Sequence, residues 1–119
     1  MDSSALRQIF VVAAAATSLS ACSEQPPPIA QGLSRHASVV FNKRLKSRFP
    51  VTADEQQLTS ELQREHFSVT EITDPASQYR HLAQYEAHDF VCKDVWTILW
   101  SAEAGKITII EGKTGSICL

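Results

Sequence analysis

The chain has 119 residues, which is enough for one domain of ordinary size. It carries 11 basic and 13 acidic residues, and the resulting net charge of -2 gives no electrostatic footprint for a nucleic-acid partner. Hydrophobic residues make up 44% of the chain and charged residues 20%, close to globular usage, which excludes a wholly disordered or fibrous chain.

The first apolar segment, residues 9–21, contains no charged side chain. Its length suits the central region of an export signal, and it is too short for a membrane-spanning helix, which needs about 20 residues. A buried core helix is the alternative, but such a helix would show polar positions at regular 3.6-residue spacing, which this segment lacks. We therefore expect residues 1–21 to be a signal peptide that is removed.

This segment ends in the four residues LSAC, in which Cys22 follows an aliphatic residue and two small ones. The motif resembles the lipobox of bacterial lipoproteins. The resemblance implies that Cys22 receives a thioether-linked diacylglycerol, gains a further acyl group in many bacteria, and becomes the first mature residue. Two or more acyl chains anchor a protein stably. Ser23, which is not an aspartate, implies delivery to the outer membrane, facing the periplasm.

Lipidation of Cys22 would leave two of the three cysteines, Cys92 and Cys118. In an oxidising envelope these two are expected to form an intramolecular disulfide. Closing the intervening loop of about 26 residues would stabilise the domain by ~3.5 kcal/mol, because the unfolded chain loses entropy. Two reduced and buried thiols are the alternative if the chain is not exported.

The segment after Cys22 contains three consecutive prolines, Pro26, Pro27 and Pro28. Such runs favour an extended polyproline conformation, with a rise of about 3.1 Å per residue. We therefore expect residues 22–32 to be a lipidated cysteine followed by a spacer, which holds the domain up to ~30 Å from the membrane. Residues 33–119 are expected to form the folded domain.

Two helices are predicted in the first half of this domain. Apolar residues at three- and four-residue steps indicate an amphipathic helix over residues 33–48, which Pro50 ends. Thr52 and Glu55 have the spacing of a capping box and predict a second helix to about His66. The basic residues of the first helix are expected to be solvated and partly paired with acidic residues. A patch that binds anionic lipid or glycan is the alternative. These basic residues are Arg35, Lys43, Arg44, Lys46 and Arg48.

The second half shows the alternation of strands. In KDVWTILWSA every second residue shares a face, and Gly105 marks a turn before the returning strand KITIIEG. Further strands are expected over residues 81–90 and 67–73. The predicted fold class is α+β, with two N-terminal helices packed on one face of a small antiparallel sheet of three to four strands, and one disulfide.

Trp96 and Trp100 share one face of the predicted strand. They are expected either to fill the core between helices and sheet or to form an exposed face for a ligand or partner. No motif predicts catalysis, since EGKTG lacks the first glycine and the helix of a phosphate loop. The histidines lack metal-ligand spacing and no nucleophile motif accompanies them. We expect no enzyme activity, no cofactor and no metal site.

A wider resemblance covers residues 41–119, including FNKRLKSRFPVTADEQQLTSELQREHF and the cysteine-flanked hairpin. It is similar to small bacterial envelope lipoproteins of uncharacterised function. The order of helices and strands also resembles small barrel-assembly accessory lipoproteins, without their contact residues. These resemblances imply a non-enzymatic module, anchored to the membrane through Cys22, that binds an envelope protein or supports an assembly. A small periplasmic inhibitor or ligand-binding lipoprotein is the alternative, with the tryptophan face or the terminal loop over residues 112–119 as its contact surface.

Overall fold

The computed structural model describes residues 25–34 and 36–119. The chain forms a 3-10 helix (Pro28–Ala30), helices α1 (Ser38–Arg48) and α2 (Glu55–Arg64), and strands β1 (Ser68–Glu71), β2 (His81–His88), β3 (Cys92–Glu103) and β4 (Lys106–Cys118). The strands form one antiparallel sheet in the order β1-β2-β3-β4. The predicted α+β class is confirmed, with four strands. Both helices precede the strands, although they do not lie at the N-terminus of the chain itself.

Both helices cover the same face of the sheet. The buried residues of β3 lie two apart, as the alternation of a strand requires. On α2, Leu58 and Leu62 are buried, which agrees with the narrow apolar stripe expected for this helix. The central part of the core consists of Trp96, Ile98 and Trp100 from β3, Phe41 and Leu45 from α1, and Leu58 and Leu62 from α2.

Helix α1 packs closely against the sheet at Gly112 of β4. A Cβ atom at this position would lie 2.9 Å from Leu45 Cδ2 and 2.9 Å from Phe41 Cε1, so only a hydrogen atom fits there. The Gly112 N–H donates a hydrogen bond of 2.9 Å to Asn42 Oδ1 of the same helix. Gly112, which belongs to the sequence EGKTG, therefore has a packing role.

Replacing Gly112 by alanine should destabilise the domain by about 1–3 kcal/mol, because the added methyl group must displace Phe41 and Leu45. Gly115→Ala is the matched control on the same strand, since a Cβ atom there would meet nothing within 4 Å. Chemical denaturation of both variants measures the difference. Equal midpoints for the two variants would contradict the close approach of α1 to β4.

The start of α2 differs from its prediction. Its N-cap is Asp54, whose Oδ1 accepts hydrogen bonds from the N–H groups of Gln56 at 2.8 Å and Gln57 at 3.3 Å. Thr52, predicted as the cap, has a φ of 80° and donates its N–H to the Ile107 carbonyl. The capping-box prediction is wrong because this segment pairs with the start of β4 up to Asp54, which delays the helix.

The proline-rich segment belongs to the core and is not a free spacer. Ile29 and Ala30 are buried within the hydrophobic cluster. The Ile29 N–H donates a hydrogen bond of 2.7 Å to Glu65 Oε1, and the other oxygen of this buried carboxylate lies 2.8 Å from Arg48 Nη2. The predicted domain boundary at residue 33 is therefore wrong. The prolines are followed by Ile29 and Ala30, which pack in the core, and proline content alone does not predict that burial.

Further contacts hold the segment on both sides of Ile29. Arg44 Nη1 donates hydrogen bonds to the carbonyls of Ile29 at 3.2 Å and Gln31 at 2.7 Å. Towards the N-terminus, the Tyr85 hydroxyl donates to the Gln25 carbonyl at 3.0 Å. Gln25 is only three residues after Cys22. Chain length therefore limits the separation of these two residues to ~11 Å, against the ~30 Å expected for the whole spacer.

Replacing Ile29 by alanine should destabilise the domain by about 2–5 kcal/mol, because a buried side chain is truncated and leaves a cavity. Gln25→Ala is the control, because Gln25 is exposed and its hydrogen bond with Tyr85 uses the backbone carbonyl. Urea denaturation of the two variants and the parent provides the comparison. A free spacer would leave all three curves superimposed, and that result would contradict the packing of this segment.

Candidate functional site

The predicted covalent sites fall in different parts of the chain. Cys22 and the predicted signal peptide lie outside the described residues. The predicted disulfide is present, and Cys92 and Cys118 are register partners in the β3–β4 ladder with 26 residues between their positions. The bond closes this hairpin at the end away from the Gly105 turn. The compartment argument from cysteine number therefore identified the correct pair.

The two tryptophans lie on the inner face of the sheet, where Trp96 is 3% and Trp100 is 1% exposed. The alternative of an exposed ligand or partner face at these residues is wrong, because both helices cover this face. Trp100 Nε1 donates a hydrogen bond of 3.0 Å to Glu55 Oε2. The His81 ring stacks on the Trp100 ring, with 5.4 Å between the ring centroids. Trp96 contacts Tyr85 edge-on at 5.9 Å, and its buried N–H has no hydrogen-bond partner among the described residues.

A half-buried pair of an acid and an imidazole lies beside Trp100. His81 Nε2 is 3.2 Å from Glu55 Oε2, the same oxygen that accepts the Trp100 hydrogen bond. Such pairs transfer protons in many enzymes when a reacting group lies within hydrogen-bond reach. Here both groups are engaged with the same indole, one by a hydrogen bond and the other by stacking. We interpret the pair as a structural contact that fastens α2 to β2 and β3.

The second face of the sheet is covered by neither helix. Thr97 of β3 lies at its centre, in register between Gln84 of β2 and Lys113 of β4. Because Gly115 has no side chain, a depression of about 370 Å³ forms beside these residues. We call this surface the uncovered face, and it consists of Gln84, Glu86, Lys93, Val95, Thr97, Lys113 and Gly115. Alternation in the sequence groups these residues, but it does not predict which face the helices leave open.

Two pairs of polar groups, one on the uncovered face and one beside it, contact each other. Lys93 Nζ lies 3.4 Å from Glu86 Oε1. Tyr79, from the loop before β2, reaches across β3 and donates its hydroxyl proton to Glu111 Oε2 at 2.5 Å. This hydrogen bond raises the pKa of Tyr79 to about 12, so the phenol remains a proton donor at neutral pH. The arrangement suits recognition of a polar partner, since its groups are held in place by one another.

A second surface, at the disulfide end of the sheet, is apolar. Phe90 and Val91 form the turn between β2 and β3 and are 80% and 57% exposed. Ile117 and Leu119, at the end of β4, are 64% and 106% exposed. We call these four residues the apolar end. Sequence reasoning located half of this surface, since residues 112–119, the contact surface of the alternative function, include Ile117 and Leu119. It missed the other half, although two adjacent large apolar residues in a turn, in the sequence DFVC, are a signal for it.

Two other kinds of site were sought in residues 25–34 and 36–119. Within these ranges no group of three or more histidine, cysteine, aspartate or glutamate side chains is placed to hold a metal ion. The helices of the same ranges include none with the length and apolar character needed to cross a membrane. The uncovered face and the apolar end are therefore the surfaces from which we argue a function.

Comparison with known proteins identifies no relative. No family model matches the chain, no curated protein matches it, and no solved structure matches its fold.

Proposed function

We propose that this protein is a lipoprotein of the bacterial cell envelope, anchored through lipid on Cys22 in the outer membrane and facing the periplasm. In this proposal it works without catalysis, as a protein-interaction or assembly module. The observation that supports it most is the short distance along the chain between the lipobox cysteine and the folded body. Gln25, three residues later, is already hydrogen-bonded to Tyr85 of the sheet.

The disulfide supports export. Cytosolic proteins rarely keep a structural disulfide, because thiol reductants hold cysteines reduced there. The chain has three cysteines, and two of them, Cys92 and Cys118, are bonded to each other. Lipidation would account for the third, Cys22, which otherwise is an odd cysteine in an exported protein.

The uncovered face supports the interaction role. Its strands are packed from behind by the core, and two of its charges, Glu86 and Lys93, are paired with each other. Non-obligate protein interfaces are about as polar as the remaining surface and use direct hydrogen bonds, which suits donors and acceptors such as Gln84 and Thr97. We infer that the partner of this face is a folded envelope protein with a polar surface. Its local concentration would be high, because this protein and its partner would be attached to the same membrane.

The alternative is a small inhibitor or ligand-binding lipoprotein. Burial of the tryptophans leaves residues 112–119 as its contact surface. The observation in favour of it is the depression of about 370 Å³, which Lys113, Gly115 and Ile117 line from β4. A single small ligand would occupy this depression, whereas a protein partner would cover the whole face.

Replacing Cys22 by serine should leave an unprocessed precursor without lipid, because the thioether bond requires the cysteine sulfur. Incorporation of radiolabelled palmitate in cells, followed by electrophoresis, measures this outcome. Ser23→Asp is the matched control, since it keeps the acceptor sulfur. In enterobacteria-like sorting it should remain lipidated and be retained at the inner membrane. Label in the Cys22→Ser protein would contradict the anchor.

The uncovered face is tested by a photo-crosslinking residue, p-benzoylphenylalanine, placed in living cells at Gln84. Gln57, exposed on α2 at the other side of the molecule, is the control position. We expect a discrete protein adduct from Gln84 and none from Gln57. Lys113→Glu should remove the adduct, because it reverses a charge within the face, and Lys46→Glu on α1 should preserve it. An adduct unaffected by Lys113→Glu would count against this face as the partner's binding site. A crosslinked product whose mass exceeds that of the protein by only a small molecule would favour the ligand-binding alternative.

A further inference from the structure

Four backbone N–H groups at the apolar end are hydrogen-bonded within the protein. The N–H groups of Val91 and Cys92 both donate to Asp89 Oδ1, at 2.8 and 2.6 Å. The Asp89 N–H donates to the Cys92 carbonyl at 2.9 Å, and the Leu119 N–H donates to the Val91 carbonyl at 2.9 Å. An unpaired backbone group is costly at a site that water leaves. These contacts therefore make the apolar end suited to a water-poor environment.

The disulfide holds the two halves of the apolar end together. Cys92 follows the Phe90–Val91 turn directly, and Cys118 lies between Ile117 and Leu119. Both segments line one depression of about 260 Å³. The four apolar side chains thus lie on a rigid base, so placing them in an apolar medium requires little further ordering of the chain.

The place where the chain enters the domain identifies the medium. The Gln25 carbonyl is hydrogen-bonded to Tyr85, and Tyr85 is the register partner of Trp96. Along the chain, Trp96 lies four residues from Cys92 and nine residues from Gly105. At a rise of about 3.3 Å per residue these spacings correspond to ~13 Å and ~30 Å along the sheet. The three residues up to Cys22 span at most ~11 Å. A lipid on Cys22 can therefore reach close to the level of the disulfide end but not the Gly105 end.

Polar and charged groups adjoin the apolar end: the Asp89 carboxylate accepts hydrogen bonds within the turn itself, and a further set lies one step into the sheet. His88 and Lys93 are the last register pair before the turn. Glu86 Oε2 lies 3.6 Å from His88 Nε2, and its Oε1 lies 3.4 Å from Lys93 Nζ. An apolar tip followed by charged side chains matches the profile of a membrane interface, where the acyl boundary takes the apolar groups and the headgroup layer takes the charged ones.

We propose that the apolar end docks into the headgroup–acyl boundary of the membrane that carries the Cys22 lipid, with Phe90, Val91 and Leu119 as the inserted side chains. This inference rests on the lipid anchor of the proposed function. It adds an orientation that an anchor alone does not supply. The strands of the sheet stand upright on the membrane, and the uncovered face points sideways, towards proteins embedded in or attached to the same membrane.

The test uses the mature, lipidated protein reconstituted in vesicles of phosphatidylethanolamine and phosphatidylglycerol that contain a phospholipid with a diazirine on its acyl chain. After illumination, peptide mass spectrometry locates the lipid adducts, and the intact mass reports lipidation of Cys22. We expect adducts on the peptides with Phe90, Val91 and Leu119. Val51 is the internal control, because it is 56% exposed and follows Pro50 at the Gly105 end of the sheet.

A variant tests the contribution of the turn. Phe90→Ser combined with Val91→Ser should abolish the adducts on the peptide that contains Leu119, whereas Val51→Ser should leave them unchanged. Because all three residues are exposed, equal denaturation midpoints should show that both variants remain folded.

The outcomes separate this inference from the anchor. A mature protein with the Cys22 lipid but with no adducts at the apolar end, or with equal adducts at Val51, overturns the docking and leaves the anchor intact. An unlipidated Cys22 overturns both. A dimer in detergent that Phe90→Ser dissociates assigns the apolar end to a second copy of the chain, and this result also overturns the docking.

Discussion

Two short helices cover a four-stranded sheet on one face only, and the position of every other surface follows from this constraint. The inner row of Trp96, Ile98 and Trp100 is buried under α1 and α2. Each indole removes ~150–250 Å² of apolar surface from water, worth ~4–6 kcal/mol at about 25 cal/mol per Å². Helix α1 lies close enough to close this layer because Gly112 has no side chain. The opposite face is then left without a helix, and it carries Thr97 at its centre together with apolar residues such as Leu82, Val95 and Leu99.

The N-terminal segment gives this one-sided fold a direction. Ile29 is held by Glu65, whose charge is compensated by Arg48, so the buried carboxylate is paired as buried charges must be. The chain is thereby fixed to the domain up to Gln25 and cannot act as the long spacer that its prolines suggest. A lipid on Cys22 would act on a rigid body through three residues. The proposed membrane contact and the proposed protein contact then use adjoining surfaces of one small domain, with Glu86 and Lys93 at their boundary.

Most of the strand prediction was correct because its signal is local, but the second half of β4, expected as a terminal loop over residues 112–119, continues as a strand to Cys118. Alternation correctly grouped the residues that share a face of β3, Gly105 marks the β3–β4 turn with a φ of 76°, and the pairing of Cys92 with Cys118 followed from cysteine number and compartment. The cap of α2 was wrongly assigned to Thr52, because a pairing with β4 extends the chain to Asp54. For Trp96 the sequence left core and surface open, since both roles need the same large apolar side chain.

By itself the sequence determined what depends on neighbouring residues: the periodicity of the helices and strands, the hairpin turn at Gly105 and the lipobox resemblance that ends in Cys22. Only the tertiary structure decided that Ile29 belongs to the core, that the uncovered face is the side of Thr97, and that Phe90 meets Leu119 at the apolar end. Each of these depends on contacts between residues far apart in the chain. Local patterns carry no information about such contacts, because the energy of burial depends on which surfaces meet.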